Sequence, residues 1–134
     1  MSQTNYQTGQ ESVARLAIVI PAYKTKFLRE ALLSITSQSD KNFQLYIGDD
    51  ASPESIAEVV REFSEKLPVK FHRFDENFGK TSLVKHWERC VRMTSEPWVW
   101  IFSDDDLMDA DCVAAFFDRS STSRADSSAL TSFI

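Results

Sequence analysis

Apolar residues along the chain follow two alternating rhythms. Residues 16–20 form a continuous apolar run, as expected for a strand covered on both faces in a parallel sheet, and Pro21 is expected to end its hydrogen bonding. Phe27, Leu28, Ala31, Leu32 and Ile35 then recur at three- and four-residue steps, predicting a helix over about 26–38. A second strand is read over 43–47. Ser52, Pro53 and Glu54 supply an N-cap, a proline at the first helical position and an acid in the first turn. The helix they open is expected to bury Ile56, Val59, Val60, Phe63 and Leu67, until Pro68 stops it. Residues 69–74 alternate apolar with polar, the pattern of a half-exposed edge strand. A third helix, over about 80–93, is expected to pack through Leu83, Val84, Trp87, Cys90 and Val91. After Pro97 comes an apolar strand over 98–102, then a fourth helix using Val113, Phe116 and Phe117, and residues 129–134 read as the start of one more strand.

Strands alternating with helices of this length predict an α/β fold with a doubly wound, mostly parallel sheet and flanking helices, connected right-handedly. At 134 residues the chain can build one compact core and is too short for two ordinary domains. The expected division is a loose polar lead-in over 1–14 and a single domain over 15–134.

Charge narrows the partners. A formal net charge of -5 argues against a sequence-independent grip on nucleic acid, which needs a basic face, yet a small polyanion can bind through one cationic side chain and a metal ion. Cys90 and Cys112 are the only cysteines, both on predicted apolar helix faces, which favours buried thiols and a reduced, cytoplasmic setting. No apolar stretch approaches the roughly 20 residues of a membrane span. The polar start also lacks the apolar core of a signal peptide. Any contact with the inner face of a membrane is expected to run through partners.

The chemistry concentrates at strand ends. Asp104, Asp105 and Asp106 follow the apolar run 98–102 with only Ser103 between. Such a cluster repels itself unless a cation or many donors sit there, and oxygen-only ligands suit Mg²⁺ or Mn²⁺. One helix cap would need one acid, so three favour a functional cluster. Asp49 and Asp50 follow the second strand and can serve equally as turn and cap residues or as acceptors for a base N–H or a ribose hydroxyl. In open α/β sheets, ligands bind beyond the carboxyl ends of the strands, where both acidic groups fall. Lys80, after Gly79, stands where it could meet phosphates, although alone it reads as a solvated helix residue. Residues 77–82 resemble part of a phosphate loop without its first glycine. Tyr23 can stack on a base or pack as an ordinary aromatic. Trp87, Trp98 and Trp100 read as core, and His72 and His86, without metal-ligand spacing, read as structural.

Taken in order, Ile18-Val19-Ile20-Pro21-Ala22-Tyr23, the helix from Phe27 leading to Gln38, residues 43–52 and Glu76-Asn77-Phe78-Gly79-Lys80 form a recognisable series. With Phe102-Ser103-Asp104-Asp105-Asp106-Leu107-Met108, the series resembles the N-terminal half of a family 2 glycosyltransferase over about 16–111. The resemblance implies the nucleotide-diphospho-sugar transferase fold and inverting transfer of a sugar from a nucleotide-diphospho-sugar, a UDP-sugar foremost, to a saccharide or lipid-linked acceptor. It implies that Pro21, Ala22 and Tyr23 line the base and that Asp50, with Asp49 beside it, contacts base or ribose. Lys80 matches less specifically. Asp104, Asp105 and Asp106 become the metal-binding motif, with Asp105 a direct ligand, Asp104 near ribose and metal, and Asp106 supporting or coordinating. Ser103 stands where many members carry a further acid. The family's acceptor half and general base are expected beyond Ile134, so no catalytic base is assigned.

Two other classes compete. A non-catalytic nucleotide-binding or regulatory module would bind without turnover. A phospho-acceptor domain would place its acids after the first strand, where this chain has Pro21, Ala22 and Tyr23.

Overall fold

In the computed structural model, which describes residues 14–122, the apolar runs become four strands and the periodic segments four helices. The strands are β1 (Leu16–Ala22), β2 (Phe43–Asp49), β3 (Val69–Arg73) and β4 (Trp98–Ile101). The helices are α1 (Leu28–Thr36), α2 (Ile56–Arg61), α3 (Leu83–Val91) and α4 (Cys112–Thr122). Every strand pairing is parallel, in the order β3-β2-β1-β4, so the sheet is wholly rather than mostly parallel over the described residues. The expected edge strand, β3, is at an edge. The lead-in up to residue 13 and the anticipated strand over 129–134 lie outside the described residues.

The continuous apolar character of β1 follows from its central place. Leu16, Ile18, Ile20 and Ala22 point to the face covered by α1, α2 and α4, while Ala17 and Val19 point to the face where α3 brings Cys90. Each fully buried Leu or Ile contributes roughly 1.5–3 kcal/mol, so this strand carries much of the core. Helices therefore lie on both sides of the sheet. Gly48 on β2 permits the approach of α3, because a Cβ there would come within 2.3 Å of Cys90 Sγ.

Three local expectations are corrected. The first strand does not end at Pro21. Val19 accepts from the Phe102 amide on the β4 side, so Pro21, two residues on, turns its nitrogen past the end of β4, where no ladder bond is lost. On the other side, Pro21 and Ala22 keep register with Gly48 and Asp49, and the Asp50 amide donates to the Ala22 carbonyl at 3.0 Å.

The second correction concerns α2, which begins at Ile56 without a side-chain cap. Ser52 and Glu54 are engaged elsewhere: Ser52 Oγ accepts from the Glu54 amide and donates to the Tyr23 carbonyl, while Glu54 holds Thr25. The third concerns α3. Leu83 and Val84 are 58% and 57% exposed, and the buried face is formed by His86 and Cys90. This helix has two apolar lines, and the sheet takes the one that contains the histidine. In α1 the expected stripe is buried except for Phe27, which stands exposed at the N-cap with Lys26 over its ring.

Candidate functional site

Because β1 lies between β2 and β4, the acids at and just past the ends of those two strands flank the carboxyl end of β1. Past β4, Ser103 organises a tight turn: its amide donates to Asp106 Oδ2 at 3.1 Å and its hydroxyl to Asp105 Oδ1 at 2.7 Å. Asp104 reaches the other way. Its Oδ2 accepts from the amides of Tyr23 (2.9 Å) and Lys24 (3.0 Å) in the loop after β1. That loop is held from the β2 side too, where Glu54 Oε1 accepts from the Thr25 amide at 2.7 Å and its hydroxyl at 2.8 Å. These bonds hold Glu54 below the usual carboxylate range, the Thr25 amide contributing most.

Support also comes from behind the acidic turn. Gln38, buried at the end of α1, donates to the Asp109 carbonyl and accepts from the Val113 amide at 3.0 Å, and Ser34 Oγ accepts from the Met108 amide. The segment after the aspartates is thereby tied to α1 and α4.

Asp49 and Asp50 are deeply buried, and each carboxylate is fully engaged. Asp49 accepts from the Ser52 amide and from Arg73 Nη1, both at 2.9 Å, closing a turn in which Ala51 takes a left-handed φ of 54°. Asp50 accepts from the Phe78 amide (2.8 Å), the Gly79 amide (2.9 Å) and Arg89 Nη2 (2.7 Å). Arg89 lies between the rings of Phe74 and Phe78, with its guanidinium carbon 4.0 and 3.8 Å from their centroids, and also donates to the Glu76 carbonyl. The loop 76–79 is thus assembled around one buried carboxylate.

His86 completes this cluster. Arg89 Nε donates to its Nδ1 at 3.0 Å, which leaves Nε2–H to donate to the Gly48 carbonyl at 3.2 Å, so the imidazole is neutral. Burial pushes His86 below its usual value of 6.5; Asp50 opposes that fall and Arg89 adds to it. Protonation therefore favours the unfolded chain. The stability this neutral histidine preserves is complete above about pH 6.5 and declines as pH falls below it. Thermal melts between about pH 7.5 and 5.5 should show a falling Tm, and His86→Gln should flatten that slope; an unchanged slope rejects the assignment. The adjacent Cys90 thiol is pushed up to about 12 by burial and stays protonated.

A cleft of about 550 Å³ opens at this edge of the sheet, lined by Pro21, Tyr23 and Lys24 from β1 and its loop and by Ser103 to Asp106 after β4. Leu83, Trp87 and Ile101 form its apolar wall. Of the residues singled out from sequence, Pro21, Tyr23, Asp104, Asp105 and Asp106 come together here. Ala22, Asp49 and Asp50 are buried behind the cleft, and Lys80 is exposed outside its lining. Lys24 and Trp87 were not foreseen as site residues, the first for want of a motif and the second because an aromatic at helical spacing reads as core.

Among the described residues no three His, Cys, Asp or Glu side chains converge as a ready metal cage. Asp105 and Asp106 close on Ser103 while Asp104 reaches to the loop after β1, yet each keeps one oxygen outside its hydrogen bonds while lining the same cleft. Such hard oxygen donors fit a divalent ion that takes one or two carboxylates and completes its shell from phosphate and water.

Comparison with known proteins accords with this layout. The family model "Glycosyl transferase family 2" matches residues 17–132. An uncharacterized glycosyltransferase of Haemophilus influenzae is 36% identical over 92 residues, covering 68% of this chain and 29% of the relative. The structure of S. aureus TarS 1-349 in complex with UDP superposes with a TM-score of 0.70 at 23% identity, covering 80% of this chain and 33% of that one. The mannosyltransferase PcManGT from Pyrobaculum calidifontis, in complex with GDP-Man and Mn²⁺, gives 0.65 at 20% identity, covering 84% and 37%. The chain spans between 10% and 29% of the length of the curated relatives it matches. The match of the family model to most of the chain, on a parallel sheet whose acids flank the end of its central strand, shows that it belongs to glycosyl transferase family 2.

Proposed function

We propose that this chain holds the sugar donor of an inverting, metal-dependent glycosyltransferase acting in polysaccharide biosynthesis. The donor is a nucleotide-diphospho-sugar, a UDP-sugar foremost, and the sugar passes to a hydroxyl of a saccharide or lipid-linked acceptor. One observation carries the reading: the cleft in which Pro21 and Tyr23 meet Asp104, Asp105 and Asp106 at the carboxyl edge of the sheet. Tyr23 is 37% exposed on a loop whose backbone is held, which suits it to stack on a base.

In this reading Asp105, the exposed member of the three, ligates Mg²⁺ or Mn²⁺, with Asp106 supporting and Asp104 near the ribose. When bound, the ion screens phosphate against carboxylate and stabilises the departing diphosphate. Asp49 and Asp50 serve the donor through the loops they hold, and Ala22 fixes the floor. An inverting transfer also needs a base to take the acceptor's proton, a role assigned to no residue of 14–122. The neighbours solved with UDP and with GDP-Man and Mn²⁺ support a nucleotide donor and a divalent ion. No helix among the described residues is long and apolar enough to cross a membrane, and we assign the domain to the cytoplasmic side.

Calorimetric titration of UDP and GDP, with and without Mn²⁺, tests the proposal. Binding that strengthens about tenfold or more on adding Mn²⁺ supports it; no binding, or binding indifferent to the ion, rejects it.

A further inference from the structure

We propose that Lys24 is the side chain that meets the donor's diphosphate, an inference resting on the donor-site reading above. Lys24 is the one cationic residue lining the cleft among the described residues, and it shares that lining with Asp104, Asp105 and Asp106. Lys80, which the sequence places where it could meet phosphates, is absent from it.

The backbone that presents Lys24 is fixed from three directions. Its own amide donates to Asp104 Oδ2 at 3.0 Å, the preceding Tyr23 carbonyl accepts from Ser52 Oγ, and the following Thr25 is held through both amide and hydroxyl by Glu54. The exposed ammonium takes part in none of the ion pairs within 4.0 Å among the described residues. Glu54 is close enough to feel its charge, but the carboxylate oxygen that faces this loop already accepts from Thr25.

Electrostatics favours such a group. A divalent ion and a diphosphate roughly neutralise one another, which leaves the acidic lining uncompensated in a partly enclosed cleft. An ammonium in the same lining offsets part of that charge and donates to phosphate oxygens, as lysine does when used as a point charge. Asp104 then acts as a positioning residue, holding the peptide that carries the contact.

The test is calorimetric titration of UDP in Mn²⁺ against the chain, Lys24→Met and Lys24→Arg, with uridine binding followed by NMR and folding checked by thermal melts. Lys24→Met should weaken UDP binding about tenfold or more, leave uridine binding and Tm unchanged, and be largely rescued by Lys24→Arg. The gap between the chain and Lys24→Met should narrow as salt rises. Equal UDP affinity in Lys24→Met, or an equal loss for UDP and uridine, overturns the assignment to the diphosphate while leaving the donor site standing. If the unaltered chain binds neither UDP nor GDP, the donor-site reading fails, and the role of Lys24 falls with it.

Discussion

Replacing Asp105 with alanine should abolish the Mn²⁺ dependence of nucleotide binding while leaving the fold intact. Asp105 is exposed, and its carboxylate accepts from the Ser103 hydroxyl, so truncation should cost little stability. The sign of the effect makes the experiment decisive. Without a bound ion, removing a carboxylate from an acidic cleft relieves repulsion, worth about 1 kcal/mol at exposed separations near 4 Å, and UDP should bind as well or slightly better. If Asp105 ligates the ion, its loss removes the attraction that outweighs this repulsion, and UDP binding in Mn²⁺ should fall about tenfold or more. Calorimetry of Asp105→Ala in Mn²⁺ and in EDTA separates the two. A variant that binds UDP more tightly in both media would show that the carboxylate only repels.

Asp50→Ala should have the largest effect on stability. The change strips the acceptor from the Phe78 and Gly79 amides and leaves the Arg89 guanidinium facing a buried gap. Removing one partner of a buried charged pair costs about 3–5 kcal/mol, because the survivor stays desolvated and uncompensated. Asp50→Asn keeps an acceptor oxygen and should fall between the two. Urea unfolding monitored by circular dichroism measures both. A midpoint for Asp50→Ala close to that of the unaltered chain would mean that loop 76–79 is held by other means. Asp105→Ala and Asp50→Ala thus separate two roles for acids on one sheet edge: the first changes binding at constant stability, the second stability itself.

Much of the architecture was legible because each element carries its own hydrophobic rhythm. The uninterrupted apolar run of β1 demanded cover on both faces, and its position between β2 and β4 supplies it. The half-polar β3 announced an edge. What escaped sequence reasoning was decided by groups remote in the chain. The face that α3 buries depends on the distant Gly48 carbonyl, which with Arg89 of the same helix satisfies a buried His86 and lets the sheet prefer the histidine to Leu83 and Val84. Ser52 and Glu54 have the composition of a helix start, but the loop after β1 offers them better-placed partners.

The layout of the candidate site was legible in part. Acids at strand ends were visible, as was their shared edge. Which of them face the cleft was not, because, apart from the Ser52 amide on Asp49, the donors that engage Asp49 and Asp50 come from Arg73, Arg89 and the 76–79 loop, none of which advertises that role in its own segment. Lys24 follows the same logic in reverse. A lone lysine beside a tyrosine has no periodicity to mark it, and only the bond from its amide to Asp104 shows where it is presented.

The bracing of the peptide units at 23–25 by Asp104, Ser52 and Glu54 also bears on how tightly a ligand can be held. Main-chain torsions that are already frozen have no further freedom to surrender on complex formation, so within this loop the conformational toll falls on side-chain rotamers, at most about 2 kcal/mol for a lysine, on top of the overall tumbling freedom that any association removes. Loosening this brace would make every encounter re-order the turn, and residence time would shorten even though no contacting atom had changed.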